Sequence, residues 1–236
     1  MVSNISQKNL FIEVEEAQRI IKSISKAENK FRILLLLVAS GVRPCEAVQI
    51  NLLDFVKPDY SQFYVNNSKV VPKGKLPRRD LKIVPKWMAK QLREYVELAH
   101  YSGQVKQGYI FPSYTNNKSS HMAKGSLFTW FHRKRKELGL LDVVGGYEAS
   151  EHMKAKGLTQ IPRYRIGLYS FRRLFATEAE KCGIEDTVTA FLMGHQDTKT
   201  TQQYKDKREL LRKAPVQINQ MPNFFETEQS KLAAYT

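Results

Sequence analysis

Tyr169-Ser-Phe-Arg172-Arg-Leu-Phe-Ala-Thr177 is followed along the chain by Met193-Gly194-His195 and then by Thr200-Thr-Gln-Gln-Tyr204. In the first segment Phe171, Leu174 and Phe175 recur at the spacing of one helical face, so an apolar stripe carries Arg172 at its start. The same periodicity predicts three helices in succession, at roughly 170 to 182, 185 to 194 and 198 to 212. Arginine, histidine and tyrosine in this order suit attack on a phosphodiester. A guanidinium grips phosphate oxygens in a planar fork and keeps its proton, an imidazole donates to the phosphate, and a phenol supplies an oxygen nucleophile.

Working outward, Val14, Ala17, Ile20, Ile21 and Ile24 predict an amphipathic first helix over roughly 13 to 26. A second, over about 29 to 40, is apolar nearly all round and belongs in the core, and Gly41 ends it. Pro44 suits the first turn of a third helix, where its missing N–H costs nothing, and this sets Arg43 at that helix's mouth. Phe63 and Val65, then Leu81 and Ile83, read as two strands around a link containing Pro72, Gly74 and Pro77, a hairpin with a long basic tip. Helical spacing resumes over Trp87 to His100 and Ser126 to Leu138, and His132 to Lys136 is expected as an exposed basic face. Residues 139 to 167, with five glycines, are expected to form an irregular connection. Beyond Ala214, with Pro215, Pro222 and Phe224-Phe225, periodicity is too weak for independent folding. The aromatic pair there invites docking on a partner subunit. The fold class that follows is α+β, mostly helical, with a small antiparallel sheet beside a helical core: an extension at 1–12, one domain at 13–212 and a tail at 213–236.

The 236 residues carry 38 Lys+Arg against 23 Asp+Glu, a net charge of +15 that attracts a polyanion, whether DNA, RNA or an anionic membrane. The most apolar run, Ile33 to Ala39, falls well short of the roughly 20 residues a membrane span requires, so no membrane partner is expected. Only Cys45 and Cys182 are present, neither at zinc-ligand spacing, so both are expected as small apolar fillers in a reducing, cytoplasmic setting. No cofactor and no metal is expected.

Ser40-Gly-Val-Arg43-Pro-Cys-Glu46 together with the C-terminal segments resembles the catalytic signature of the tyrosine recombinases, the phage-integrase family of DNA strand-exchange enzymes. The resemblance covers roughly residues 10 to 210, that family's catalytic domain, and implies that the helical core-binding domain that precedes it in most members is not expected within these residues. It implies a site made of Arg43, a hairpin lysine, Arg172, His195 and the nucleophile Tyr204, with Glu46 orienting Arg43. Lys69, after the first strand, is the preferred lysine, with Lys75 and then Lys73 as alternatives. Tyr169 stands where the family usually has the histidine of His-x-x-Arg; a phenol can hydrogen-bond a phosphate but cannot carry imidazole's proton traffic near pH 7. The implied activity is site-specific recombination of double-stranded DNA through a 3′-phosphotyrosyl intermediate, without metal or ATP. The implied assembly is a tetramer in the synapse of a viral, plasmid or chromosomal element.

Each residue alone is weak evidence: the chain has 11 tyrosines, and basic residues usually coat a solvated face. Their joint order within one domain carries the reading. Two rivals stand beside it: a catalytically weak architectural DNA-binding protein of the same fold, and a nicking enzyme resembling type IB topoisomerases, which shares the chemistry but not the strand exchange.

Overall fold

The computed structural model describes residues 11–66, 79–101, 108–113, 121–194, 207–223 and 225. It is mostly helical, with two separate antiparallel hairpins. Among the described residues no helix is long and apolar enough to cross a membrane.

Helix α1 (Val14–Lys22) is shorter than its periodicity suggests, because the Ser23 hydroxyl donates to the Ile20 carbonyl and closes the last turn. A single 3₁₀ turn, Lys26–Glu28, leads into α2 (Asn29–Ala39). Every residue of α2 from Ile33 to Ala39 is buried, as expected of an all-round apolar helix at the centre of the core. Gly41 follows at φ +88°, a conformation that glycine adopts without strain, with the Phe175 ring 3.0 Å from where a Cβ would stand. The short helix α3 (Pro44–Ala47) starts on Pro44, with Arg43 as the flanking residue.

Strands β1 (Gln62–Asn66) and β2 (Arg79–Ile83) form the expected hairpin, and its tip at 67–78 lies outside the described residues. The register sets Phe63 opposite Lys82 and Val65 opposite Asp80, so these four share one face. That face is buried, and the strand reverses the naive alternation: Asp80 and Lys82 point inward while Leu81 is only partly buried. Ile83, on the opposite face, joins a second cluster with Phe175, Val188, Leu192 and Ile218.

Helices α4 (Lys86–Tyr101) and α5 (Lys124–Glu137) pack on the main core, where Trp130 stacks on Phe31 at 4.6 Å between ring centroids. The expected basic face of α5 is only half exposed. Lys134 is buried between Glu28 (3.0 Å) and Glu137 (2.8 Å), and Arg135 donates to the Ile166 carbonyl while lying 3.8 Å from the Tyr164 ring centroid. Long basic side chains here serve packing as well as charge.

The connection at 139 to 167 departs from expectation. It contains a second hairpin, β3 (Val143–Glu148) and β4 (Gln160–Tyr164), with the four-residue helix α6 (Glu151–Lys154) between the strands. Glycine-rich β3 has little side-chain pattern to announce it, and Pro162 is tolerated because this two-stranded sheet consists of edges alone. Helices α7 (Leu168–Lys181), α8 (Asp186–Met193) and α9 (Lys207–Gln217) complete the described chain, α8 ending on Gly194 in the left-handed conformation. The helix continues past Ala214 and through Pro215; Ala214, Ile218 and Met221 are buried in the second cluster, and Phe225 packs on Trp87 of the same chain at 5.9 Å.

Candidate active site

Arg43 and Arg172 come from opposite ends of the sequence and meet over the C-terminal end of α8. Arg43 is held from two sides by Glu46, one turn along α3: the carboxylate accepts from the Arg43 backbone N–H (3.2 Å) and from its guanidinium Nη1 (2.6 Å). The second terminal nitrogen of Arg43 donates to the Gly194 carbonyl at 2.9 Å. Arg172, on the second turn of α7, donates through one terminal nitrogen to the Gly41 carbonyl and through the other to the Met193 carbonyl. Carbonyls that a helix end leaves without intrahelical donors are thus capped by the two guanidiniums. Each guanidinium has five N–H groups, so donors remain for an anion.

Beneath this pair lies an ion cluster. Glu46 is fully buried, and Lys82 of β2, 1% exposed, brings its ammonium to 3.5 Å from the other Glu46 oxygen. Buried Asp80 stands beside it on the same strand face. Gly194 is a position that favours glycine: a Cβ there, at φ +65°, would come within 2.8 Å of the Lys82 Nζ and 3.5 Å of Arg43 Nη1. Burial, reinforced by Arg43, pushes the Arg172 guanidinium down to about 10, which leaves it charged at neutral pH. Burial likewise pushes Lys82 down to about 8; Glu46 and Asp80 oppose the shift, and Arg172 and Arg43 assist it.

Tyr169 lies one position into α7 on the rim of the arginine pair, 47% exposed. Burial of its hydroxyl raises it above the ordinary tyrosine value, the nearby Cys45 adding to the shift and the two arginines opposing it. Its ring leans on Phe128 at 6.5 Å. A cavity of about 640 Å³ opens on that side, between α5, the second hairpin and α7, with Phe128, His132, Tyr147, Arg163 and Arg173 in its walls.

Of the residues expected from sequence, the structure brings together Arg43, Glu46, Tyr169 and Arg172. His195 and Tyr204, and the lysines Lys69 and Lys75, lie outside the described residues; the described segment 121–194 ends one residue before His195. Sequence reasoning passed over Lys82 and Asp80. Two charged residues at alternate positions of a strand read as a solvated face, and only the register opposite Phe63 and Val65 reveals them as inward.

A model of the phage integrase family matches residues 11–210. No curated protein sequence matches the chain. Among solved structures the chain is similar to XerA recombinase (TM-score 0.54, 19% identity, covering 88% of this chain and 64% of that one). It is similar also to an integrase from mycobacterium phage Brujita (0.55, 14%, 90% and 57%) and to a lambda integrase tetramer bound to a Holliday junction (0.51, 19%, 80% and 48%). The chain spans less than two thirds of each of these proteins.

Proposed function

Because the chain belongs to the phage integrase family, we propose that it cleaves and rejoins double-stranded DNA at specific sites, Tyr204 attacking a phosphodiester held by Arg43 and Arg172. The observation that carries this reading is the meeting of the two arginines over the turn that leads into His195. Two fixed guanidiniums on rigid elements, with donors to spare, neutralise the charge that builds on a five-coordinate phosphorus. Attack by the phenol oxygen, whose proton is lost to solvent as the guanidiniums favour the phenolate, breaks the bond to the 5′ oxygen and forms a 3′-phosphotyrosyl ester. The leaving oxygen takes a proton from a hairpin lysine, Lys69 or Lys75, and His195 donates to the phosphate. The ester conserves the bond energy, so rejoining needs no ATP, and the arginines serve where other enzymes use metal ions.

The net charge of +15 supports a polyanionic substrate, and the likeness to a tetrameric integrase on a Holliday junction supports duplex DNA and assembly in fours. Residues 13–212 act as the catalytic domain in this reading, and the tail at 213–236, whose described part to Phe225 packs on its own chain, is the candidate for exchange between subunits. One observation favours a second reading, an architectural DNA-binding protein: a half-exposed tyrosine, Tyr169, stands where the family carries a histidine.

The test is incubation with nicked suicide duplexes tiled across the DNA flanking the encoding gene. Wild type should form a covalent adduct that survives detergent. Arg43→Gln or Arg172→Gln should slow it by about 10²–10³, the cost of losing one preorganised donor to a transition-state oxyanion. Tight binding to a tiled duplex with no adduct on any of them would establish the architectural reading instead.

A further inference from the structure

Lys82 has no place in the chemistry just described, yet it is the most deeply buried cation among the described residues. Its nearest described anion is Glu46 Oε2 at 3.5 Å, beyond normal hydrogen-bond length, and among the described residues its ammonium makes no hydrogen bond. Burying an ammonium so poorly paired is costly. The groups facing it are Glu46 on α3, Arg43 before α3, Arg172 on α7, Asp80 on its own strand, and the backbone at Gly194. Among the described residues, the cluster with Lys82 protonated holds three cations and two carboxylates, a net charge of +1. With Lys82 neutral that net charge is zero, and Glu46 loses one of the cations that hold it.

We infer that Lys82 is a positioning residue of the active site, whose proton sets the charge of the arginine cluster and the hold of Glu46 on Arg43. The inference rests on the reading of Arg43 and Arg172 as the phosphate clamp. Lys82 does not touch the phosphate, since Glu46 and the Gly194 turn stand beside it and its side chain is closed to solvent. It acts at one remove, because a net positive cluster attracts a phosphodiester more strongly than a neutral one. The two arginines that repel the Lys82 proton are those a phosphate would neutralise. Phosphate binding and protonation of Lys82 therefore support each other, and the site should weaken as pH rises through about 8, where burial has brought Lys82.

The test compares wild type with Lys82→Met, which mimics the neutral lysine, for rate of adduct formation on the reactive suicide duplex. At pH 7 the variant should be about tenfold slower, and by pH 9, where about nine tenths of a group titrating near 8 is neutral, the two rates should converge. Effects that tyrosine and the hairpin lysine contribute at each pH cancel in this ratio. A purely structural role predicts the same deficit at both pH values, and that result, or no deficit at either, would overturn the inference. Should Lys82→Met fail to fold, or should wild type form no adduct, calorimetry of unmodified wild type binding a tiled duplex decides. Run at pH 8.5 in two buffers of different ionisation enthalpy, it should show net proton uptake, and none would refute the coupling. Absence of adduct with proton uptake present would overturn the cleavage reading and leave Lys82 in its role.

Discussion

The two hairpins of this chain are built alike and used differently. Both are antiparallel pairs, of five and five residues in β1–β2 and of six and five in β3–β4. In the first, one face is closed by Phe63, Val65, Asp80 and Lys82, and its charges belong to the arginine cluster. In the second, no residue of either strand is buried, Val143 and Tyr147 are exposed, and attachment rests on flanking contacts: Arg165 to Glu16 of α1, and Arg135 against Tyr164. A hairpin that contributes buried charge to a site cannot vary without changing that site. One attached by its ends can change length and sequence at little cost to the fold.

The sharpest way to break this contrast is Glu46→Gln, which leaves Arg43 and Lys82 without the carboxylate they share. Removing one partner of a buried ion cluster costs about 3–5 kcal/mol, so chemical denaturation should show a loss of that size and adduct formation should fall with it. Gly194→Ala should cost about 2 kcal/mol, because alanine resists φ +65° and its methyl displaces the Lys82 ammonium.

A pH series separates the first hairpin from the second. Lys82 titrates near 8 in the folded protein and near its ordinary 10.5 in the unfolded chain. Between those values the unfolded chain holds a proton that the folded one has released, so this group adds stability as pH rises through that window. Melting temperature measured from pH 7.5 to 10 should rise for wild type relative to Lys82→Met, by on the order of 5–10 °C; a flat difference would mean that Lys82 titrates normally.

In the second hairpin the effects are smaller. Arg165→Met removes a two-pronged pair with Glu16 at a partly exposed position and should cost about 1 kcal/mol. Part of that loss should vanish in acid, since the arginine's hydrogen bonds hold Glu16 below the usual carboxylate range, and that stabilisation fades as pH falls through its lowered value. Tyr147→Ser, on the exposed face of β3, should change stability by less than about 0.5 kcal/mol.

The comparison also marks what the sequence could reveal. Helices announced themselves: the apolar run of α2, the Pro44 start of α3 and the Phe171, Leu174, Phe175 stripe of α7 were all legible, because burial imposes a period on side chains. Arg43, Glu46 and Arg172 were legible through their spacing and resemblance. Lys82 was not. Its inward direction depends on which β1 residue it faces, and register is set by long-range pairing that alternation alone does not encode. The second hairpin was hidden for another reason: Val143, Val144, Gly145 and Gly146 offer no alternating pattern, and Pro162 argues against a strand until its partner is known to be single. Lys134 and Arg135 misled by type, since a charged side chain buried over an aromatic ring or between two carboxylates looks solvated in sequence.

In the proposed chemistry one of the 11 tyrosines of this chain becomes covalently attached to DNA. Wild type trapped on its reactive suicide duplex, digested with trypsin and nuclease and sequenced by mass spectrometry, tests this directly. A nucleotide should be found on Tyr204 alone and should disappear in Tyr204→Phe. A nucleotide on Tyr169, or on any tyrosine other than Tyr204, would contradict that chemistry.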